Sequence, residues 1–130
     1  MPRKSKTGTP NQPIVIEGDC PSKKNGRILT GKSGRLLSIP SKTYKTWQTE
    51  ALRQLKRYQP ISVYPCALTI VLWGATKRRY DIDNRATSVL DVLQDAGILE
   101  DDDWAHVQTL TIQHGGLDKT RPRVDIWVDE

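Results

Sequence analysis

The sequence is short of cysteine and contains no long hydrophobic run. Two cysteines among 130 residues do not make a disulfide framework, so we expect Cys20 and Cys66 to be reduced, partly buried thiols. The longest apolar stretch, Cys66 to Ala75, is about half of the ~20 residues that a membrane-spanning helix needs. The first ten residues are polar and basic and carry no apolar segment of the kind found in secretory signals. We therefore expect neither a membrane protein nor an exported one, but a cytoplasmic protein.

The chain is rich in charge, and the charge is unevenly distributed. Residues 1–60 hold 13 Lys and Arg against 3 Asp and Glu, whereas residues 61–130 hold 7 against 12. Eight of those twelve acids fall between positions 81 and 103. A basic half favours binding to nucleic acid. Because an acidic cluster beside it would repel phosphate, the combination points to a divalent cation held by carboxylates.

Hydrophobic periodicity predicts an α/β (α+β) fold of one domain over residues 13–130, following a flexible basic arm at residues 1–12. We expect a mixed β-sheet packed with two main helices, in the order β-β-β-α-β-α-β-β. The continuous apolar run at 67–73 predicts a central strand covered on both faces. The predicted strands are Pro13–Glu17, Ile28–Thr30, Arg35–Ile39, Ile61–Trp73, Val107–Gln113 and Arg123–Val128. One helix is predicted over about 42–58, and a second follows a cap at Asp83 or Asn84 and stops at Gly97.

Carboxylates flank the second predicted helix at both ends. Asp81 and Asp83 precede it, and in an extended segment residues two apart face the same way. The run Asp101–Asp103 follows it, and an extended chain from Gly97 can cover the ~20 Å back along a helix of ~13 residues. Three converging carboxylates would bind a divalent cation. The alternative is that the first acids cap the helix and the acidic run is merely solvated.

The remaining residues form none of the common zinc-binding, phosphate-binding or nucleophile motifs. His106 and His114 are eight apart and lack partners at zinc spacing, so we expect them to be surface or strand residues. No phosphate-binding glycine loop or nucleophile-elbow motif is present. Trp73, Trp104 and Trp127 are predicted to be core residues.

The segment from Asp81 to Asp103 resembles the RusA family of Holliday junction resolvases. The matching motifs are Asp81-Ile82-Asp83-Asn84, Leu90-Asp91-Val92-Leu93, Ala96-Gly97 and Asp101-Asp102. The early loop Pro21–Arg27 is similar to a Pro-Ser-Lys-Asn segment of the family with one extra lysine, and Arg121–Ile126 is similar to its closing basic strand. The resemblance covers about residues 13–128.

This resemblance implies a bacterial or phage-encoded endonuclease that uses Mg²⁺ or Mn²⁺. It would act as a homodimer and resolve four-way DNA junctions by paired symmetric nicks during recombination and repair. By position, Asp81, Asp83 and Asp102 would be the catalytic and metal-binding acids. The residues expected to contact DNA are Lys23, Lys24, Asn25, Arg27, Lys77, Arg78, Arg79 and Arg85.

One position departs from the family pattern. The family places a catalytic lysine four residues after the second aspartate, where this chain has Thr87. We expect a neighbouring cation, Arg85 or one of Lys77, Arg78 and Arg79, to replace it, or activity to be reduced. Arginine stays protonated, so it could stabilise phosphate charge but could not act as a base.

Three alternatives stay open at this point. The chain could bind branched DNA without cutting it, could be an interaction module whose acidic and basic halves pair between subunits, or could be a metal nuclease acting on RNA or DNA flaps.

Overall fold

The computed structural model describes residues 12–22, 27–32, 35–40 and 42–129, with the main chain alone for 27–32 and 35–40. Apart from Gln12, the predicted basic arm lies outside these residues. The strands are β1 (Ile14–Glu17), β2 (Arg27–Lys32), β3 (Arg35–Pro40), β4 (Cys66–Gly74), β5 (Val107–Leu117) and β6 (Arg123–Asp129), and the helices are α1 (Lys42–Leu55) and α2 (Ile82–Asp95). The predicted fold class and element order are confirmed. None of these helices is long and apolar enough to cross a membrane.

Four strands form a mixed sheet in the order β1-β6-β4-β5. The central strand β4 pairs antiparallel with β6 and parallel with β5, and β1 pairs antiparallel with β6. The hairpin β2–β3 makes a separate two-stranded sheet. Strand β5 is therefore an edge, because no strand in the described part of the chain pairs with its other side.

The buried core lies on one face of this sheet. Side chains along β4 alternate between buried and partly exposed, so the prediction that both faces are covered was wrong. The buried face comprises Leu68, Ile70 and Leu72 of β4 with Val124, Ile126 and Val128 of β6. The prediction failed because the opposite face of β4, which includes Val71 and Trp73, is also apolar. That face is nevertheless only partly covered.

Both helices bury residues at helical spacing in this core, namely Tyr44, Trp47, Ala51 and Leu55 of α1 and Ala86, Val89, Val92 and Leu93 of α2. Helix α1 ends at Leu55 rather than at the predicted residue 58. The Tyr58 hydroxyl there accepts a hydrogen bond from the Val15 amide of β1 (3.1 Å), which ties this segment to the sheet. Strand β4 begins at Cys66 rather than at the predicted Ile61. The Ile61 amide donates a hydrogen bond to the Ile98 carbonyl and not to a neighbouring strand.

The parallel unit β4–α2–β5 places the segments before and after α2 at opposite ends of the sheet. Because β4 and β5 are parallel, Gly74 and Leu117 lie together at the carboxyl end of the two strands, and Cys66 and Val107 lie together at the amino end. Helix α2 runs back between them over 14 residues, roughly 20 Å at 1.5 Å per residue. The segment before α2 is therefore at the carboxyl end, and the segment after α2 is at the amino end.

Candidate metal and nucleic-acid site

Asp81 and Asp83 stand exposed at the start of α2. Asp81, rather than the predicted Asp83 or Asn84, is the N-cap residue, and its side chain makes no capping hydrogen bond. Its carboxylate instead accepts a hydrogen bond from the side-chain amide (Nδ2) of Asn84 (3.2 Å). Asp83 is already in the helix, so the expected extended-chain alternation does not apply to it. Since Asp81 does not cap the helix through its side chain, its carboxylate keeps oxygen lone pairs free for a cation.

A cavity of about 700 Å³ opens beside Asp81 at the carboxyl end of the sheet, and Asp83 is not among the residues that line it. Its walls are Thr76, Lys77, Arg78, Arg79, Tyr80, Asp81, Ile82, His114 and Leu117. Three of the predicted DNA-contacting cations, Lys77, Arg78 and Arg79, are exposed here and share the cavity with Asp81. Such a surface can hold a phosphate group next to a carboxylate-bound cation.

Arg85 is engaged within the protein. Its guanidinium forms a 3.2 Å salt bridge with Asp19 and stacks 4.0 Å from the centre of the Tyr80 ring. Tyr80 Oη and His114 Nδ1 are 2.6 Å apart, and burial raises the pKa of the Tyr80 hydroxyl. With a side chain only 16% exposed, Arg85 orders the wall of the cavity, and its contact with DNA stays a prediction.

The loop after β1 is fixed against the start of α2. The Ser88 hydroxyl donates to the Pro21 carbonyl (2.8 Å), and the Cys20 thiol donates to the Arg85 carbonyl (3.5 Å). Both cysteines are buried thiols, and burial raises the pKa of Cys20. Of the predicted DNA contacts that follow this loop, Lys23, Lys24 and Asn25 lie outside the described residues, and Arg27 is described by its main chain alone.

Asp102 lies at the amino end of the sheet, away from the other two predicted acids. Hydrogen bonds from the Cys66 amide to the His106 carbonyl (2.8 Å) and from the Glu100 amide to the Tyr64 hydroxyl (3.0 Å) hold its segment there. Ile98 and Leu99 are buried immediately after α2, so the chain does not run back along the helix. The length of α2 thus separates Asp102 from Asp81 and Asp83 by roughly 20 Å within the chain.

Sequence reasoning missed a second cluster, which surrounds Asp102. Ligand atoms of Asp101, Asp103 and His106 lie within 4.8 Å of one another, the one such group of three that the described residues contain. Asp103 Oδ1 and His106 Nδ1 are 2.6 Å apart, and His106 Nε2 lies 3.5 Å from Glu100. Both ring nitrogens thus face carboxylates. The spacing of three between Asp103 and His106 was the signal available in the sequence.

The Asp103–His106 pair predicts a pH dependence. The hydrogen bond to Asp103 raises the pKa of His106, and the same bond lowers the pKa of Asp103. The raised histidine contributes stability below its usual pKa of 6.5 and loses it as the pH rises through the folded value. The lowered carboxylate contributes above its usual pKa of 3.8 and loses that contribution as the pH falls. We expect Asp103→Asn to lower the pKa of His106 in an NMR titration, and Asp101→Asn to change it less; equal shifts would contradict this assignment.

Trp104 lies in the same segment and is 85% exposed. Its prediction as a core residue was therefore wrong, while Trp73 and Trp127 are half-buried. An indole this open on a folded surface is more common in binding surfaces than elsewhere.

Comparison with known proteins finds one informative relative, and no protein family model matches the chain. A RusA crossover junction endodeoxyribonuclease from Aquifex aeolicus (strain VF5) is 29% identical over 84 residues. The match covers 63% of this chain and 65% of the relative, slightly less than two thirds of its length. The chain is thus similar to a RusA endodeoxyribonuclease, which confirms the resemblance to the RusA family.

Proposed function

We propose that the protein is a divalent-metal-dependent endonuclease that resolves four-way DNA junctions as a homodimer in the cytoplasm. The observation that carries this proposal is the exposed Asp81, which lines a cavity together with Lys77, Arg78 and Arg79 and is followed two residues later by the exposed Asp83. The similarity to a protein named as a crossover junction endodeoxyribonuclease supports the choice of substrate.

The donor set at the start of α2 suits Mg²⁺ or Mn²⁺. Both ions prefer carboxylate oxygens, and the Asp81 carboxylate is not used up in capping the helix. When bound, such an ion supplies an activated water and neutralises charge on the leaving oxygen. Asp81 and Asp83 would hold it. The three cations between β4 and α2, Lys77, Arg78 and Arg79 (the linker cations), would position the phosphodiester by contacts that carry no sequence information.

The proposed homodimer accounts for the distance between Asp102 and the other two predicted acids, Asp81 and Asp83. Within one subunit, Asp102 is roughly 20 Å from the other two along α2. We propose that each of two equivalent sites combines Asp81 and Asp83 of one subunit with Asp102 of the partner subunit. A two-fold dimer then presents two sites related by symmetry, which suits paired symmetric nicks in a four-way junction.

The residue in place of the family lysine takes no direct part in this scheme. The Thr87 hydroxyl donates to the Asp83 carbonyl one turn earlier (3.0 Å). Because Arg85 is paired with Asp19, the linker cations Lys77, Arg78 and Arg79 are better placed to stabilise phosphate charge. The arginines among them serve as fixed charges and not as bases.

The direct test uses a labelled four-way junction and a linear duplex of the same sequence. We expect paired symmetric nicks in the junction with Mg²⁺ or Mn²⁺, none with EDTA, and no cutting of the linear duplex. Cleavage that persists in EDTA, or that is equal on both substrates, would contradict the proposal.

Thr87 favours one second candidate, a branched-DNA-binding protein that does not cut. Such a protein would bind the junction with an affinity that falls steeply as salt rises. It would produce no nicks at any Mg²⁺ or Mn²⁺ concentration, which separates it from the nuclease.

A further inference from the structure

We infer that His114 donates a hydrogen bond from its Nε2 atom to the bound phosphodiester, and that Tyr80 is the residue that positions its ring. Both side chains line the same cavity as Asp81. Neither residue belongs to the motifs that resemble the RusA family. The inference rests on the proposed function, because it names a further contact between that site and its DNA substrate.

His114 is a polar residue at a strand position where the pattern favours an apolar one. Residues two apart on a strand share a face, so His114 follows Ile112 on the face that bears the buried core, and it pairs with the buried Leu72 of β4. The pairing between β4 and β5 shifts directly after this position, between Leu72 and Trp73, and such irregularities often redirect side chains beside active sites. The core-facing row of β5 therefore ends in an imidazole that lines the cavity.

The contact between Tyr80 and His114 determines which ring nitrogen carries the proton. Tyr80 Oη and His114 Nδ1 are 2.6 Å apart, a distance that is typical of an O–H donor and short for an N–H donor. We therefore assign the hydroxyl as the donor and Nδ1 as the acceptor. In a neutral imidazole the proton then lies on Nε2, which makes that nitrogen a hydrogen-bond donor.

Tyr80 is in turn held in place by Arg85. The guanidinium carbon of Arg85 lies 4.0 Å from the centre of the Tyr80 ring, and the same guanidinium forms a 3.2 Å salt bridge with Asp19. A ring that is fixed by stacking and by a hydrogen bond has little rotational freedom left to lose when substrate binds. These contacts therefore orient the imidazole of His114 before any ligand arrives.

The second nitrogen of this imidazole is available to a ligand. Within the part of the chain that the structure describes, Nε2 of His114 has no hydrogen-bond partner, and the side chain is exposed. The linker cations Lys77, Arg78 and Arg79 line the same cavity, and their charge favours an anionic ligand. An oriented N–H donor beside such cations suits a non-bridging oxygen of a phosphodiester.

The alternative is that the contact between Tyr80 and His114 only ties β5 to the segment before α2. Two substitutions separate the two roles. The amide nitrogen of glutamine can occupy the place of Nε2, whereas the side chain of asparagine reaches only as far as Nδ1. His114→Gln therefore keeps the donor to the substrate and loses the partner of Tyr80, and His114→Asn does the reverse.

The first measurement is single-turnover cleavage of a four-way junction with Mg²⁺. We expect His114→Asn to cut roughly tenfold to hundredfold more slowly than the parent, as is usual when a hydrogen bond to a charged group is lost, and His114→Gln to retain more of the rate. Gln113→Asn shortens an exposed side chain on the opposite face of β5 and should cut like the parent. A His114→Asn protein that is as fast as the parent, or at least as fast as His114→Gln, would overturn the inference.

An NMR measurement without metal separates this inference from the proposed function. At about pH 8.5, where histidine is normally neutral, long-range proton–nitrogen spectra of the parent should show the His114 proton on Nε2. Tyr80→Phe should give a mixture of both ring forms, and a four-way junction added in EDTA should shift the Nε2 signal of the parent.

Three NMR results would overturn the inference, whether or not the protein cuts DNA. They are a His114 proton on Nδ1 in the parent, a Tyr80→Phe spectrum with the same ring form as the parent, and an Nε2 signal that the junction does not move. A parent that gives the expected spectra and yet cuts no junction keeps the His114 contact and contradicts the nuclease instead.

Discussion

Asp81→Asn and Asp83→Asn proteins should cut four-way junctions on the order of 10³-fold more slowly than the parent, a loss of about 4 kcal/mol of transition-state stabilisation. Each change replaces one carboxylate oxygen of the proposed metal site by an amide nitrogen and removes one negative charge. Junction binding should persist, because Lys77, Arg78 and Arg79 are untouched. Single-turnover cleavage and gel-shift measurements on the same junction would separate the two effects.

A matched control exists on the same helix. Asp95 is exposed at the far end of α2, so Asp95→Asn removes the same charge away from the cavity. It should cleave like the parent. If Asp81→Asn cleaved as fast as Asp95→Asn, the start of α2 would not be the catalytic site.

The second large expected effect is a gain of cleavage activity when two inactive variants are mixed. Mixing Asp81→Asn protein with Asp102→Asn protein should restore nicking that neither variant shows alone. In a mixed dimer one site carries both substitutions and the other carries none, because its acids come from both subunits. If subunits exchange at random, about half of the dimers are mixed and about a quarter of the parent nicking returns. Each mixed dimer has one intact site, so single nicks should replace paired ones.

The matched control for this mixture is Asp81→Asn with Asp83→Asn. Both positions belong to the same subunit's contribution, so no mixed dimer contains an intact site and no activity should return. If the Asp81→Asn and Asp102→Asn mixture is as inactive as this control, the sites are not shared between subunits.

Elements that depend on local pattern could be predicted from the sequence. The spacing of Ala86, Val89 and Leu93 marks the buried face of α2 without knowledge of its neighbours. Alternation at Val124, Ile126 and Val128 likewise marks the inner face of β6. The end of α1 at Leu55 could not be predicted from local pattern. Beyond it, Tyr58 lies outside the helix, and its hydroxyl accepts a hydrogen bond from β1, 43 positions away along the chain.

In the candidate site, too, some positions could be predicted from the local sequence and others depend on the whole fold. The position of Asp81 and Asp83 at the entry to α2 follows from nearby residues. The placement of Asp102 does not, since an extended chain of that length could either return along α2 or stop at its end. Burial of Ile98 and Leu99 beneath the amino end of the sheet decides between the two, and such packing is a property of the whole fold.

Strand β5 is an edge of the sheet, and its sequence, VQTLTIQHGGL, contains no Lys, Arg, Asp, Glu or Pro. An edge strand without such residues leaves its backbone hydrogen-bonding groups open to pairing with another exposed strand. At high concentration, newly made chains would therefore be prone to pair with one another in wrong registers and to form insoluble fibres. A lysine substituted into this strand would reduce that aggregation.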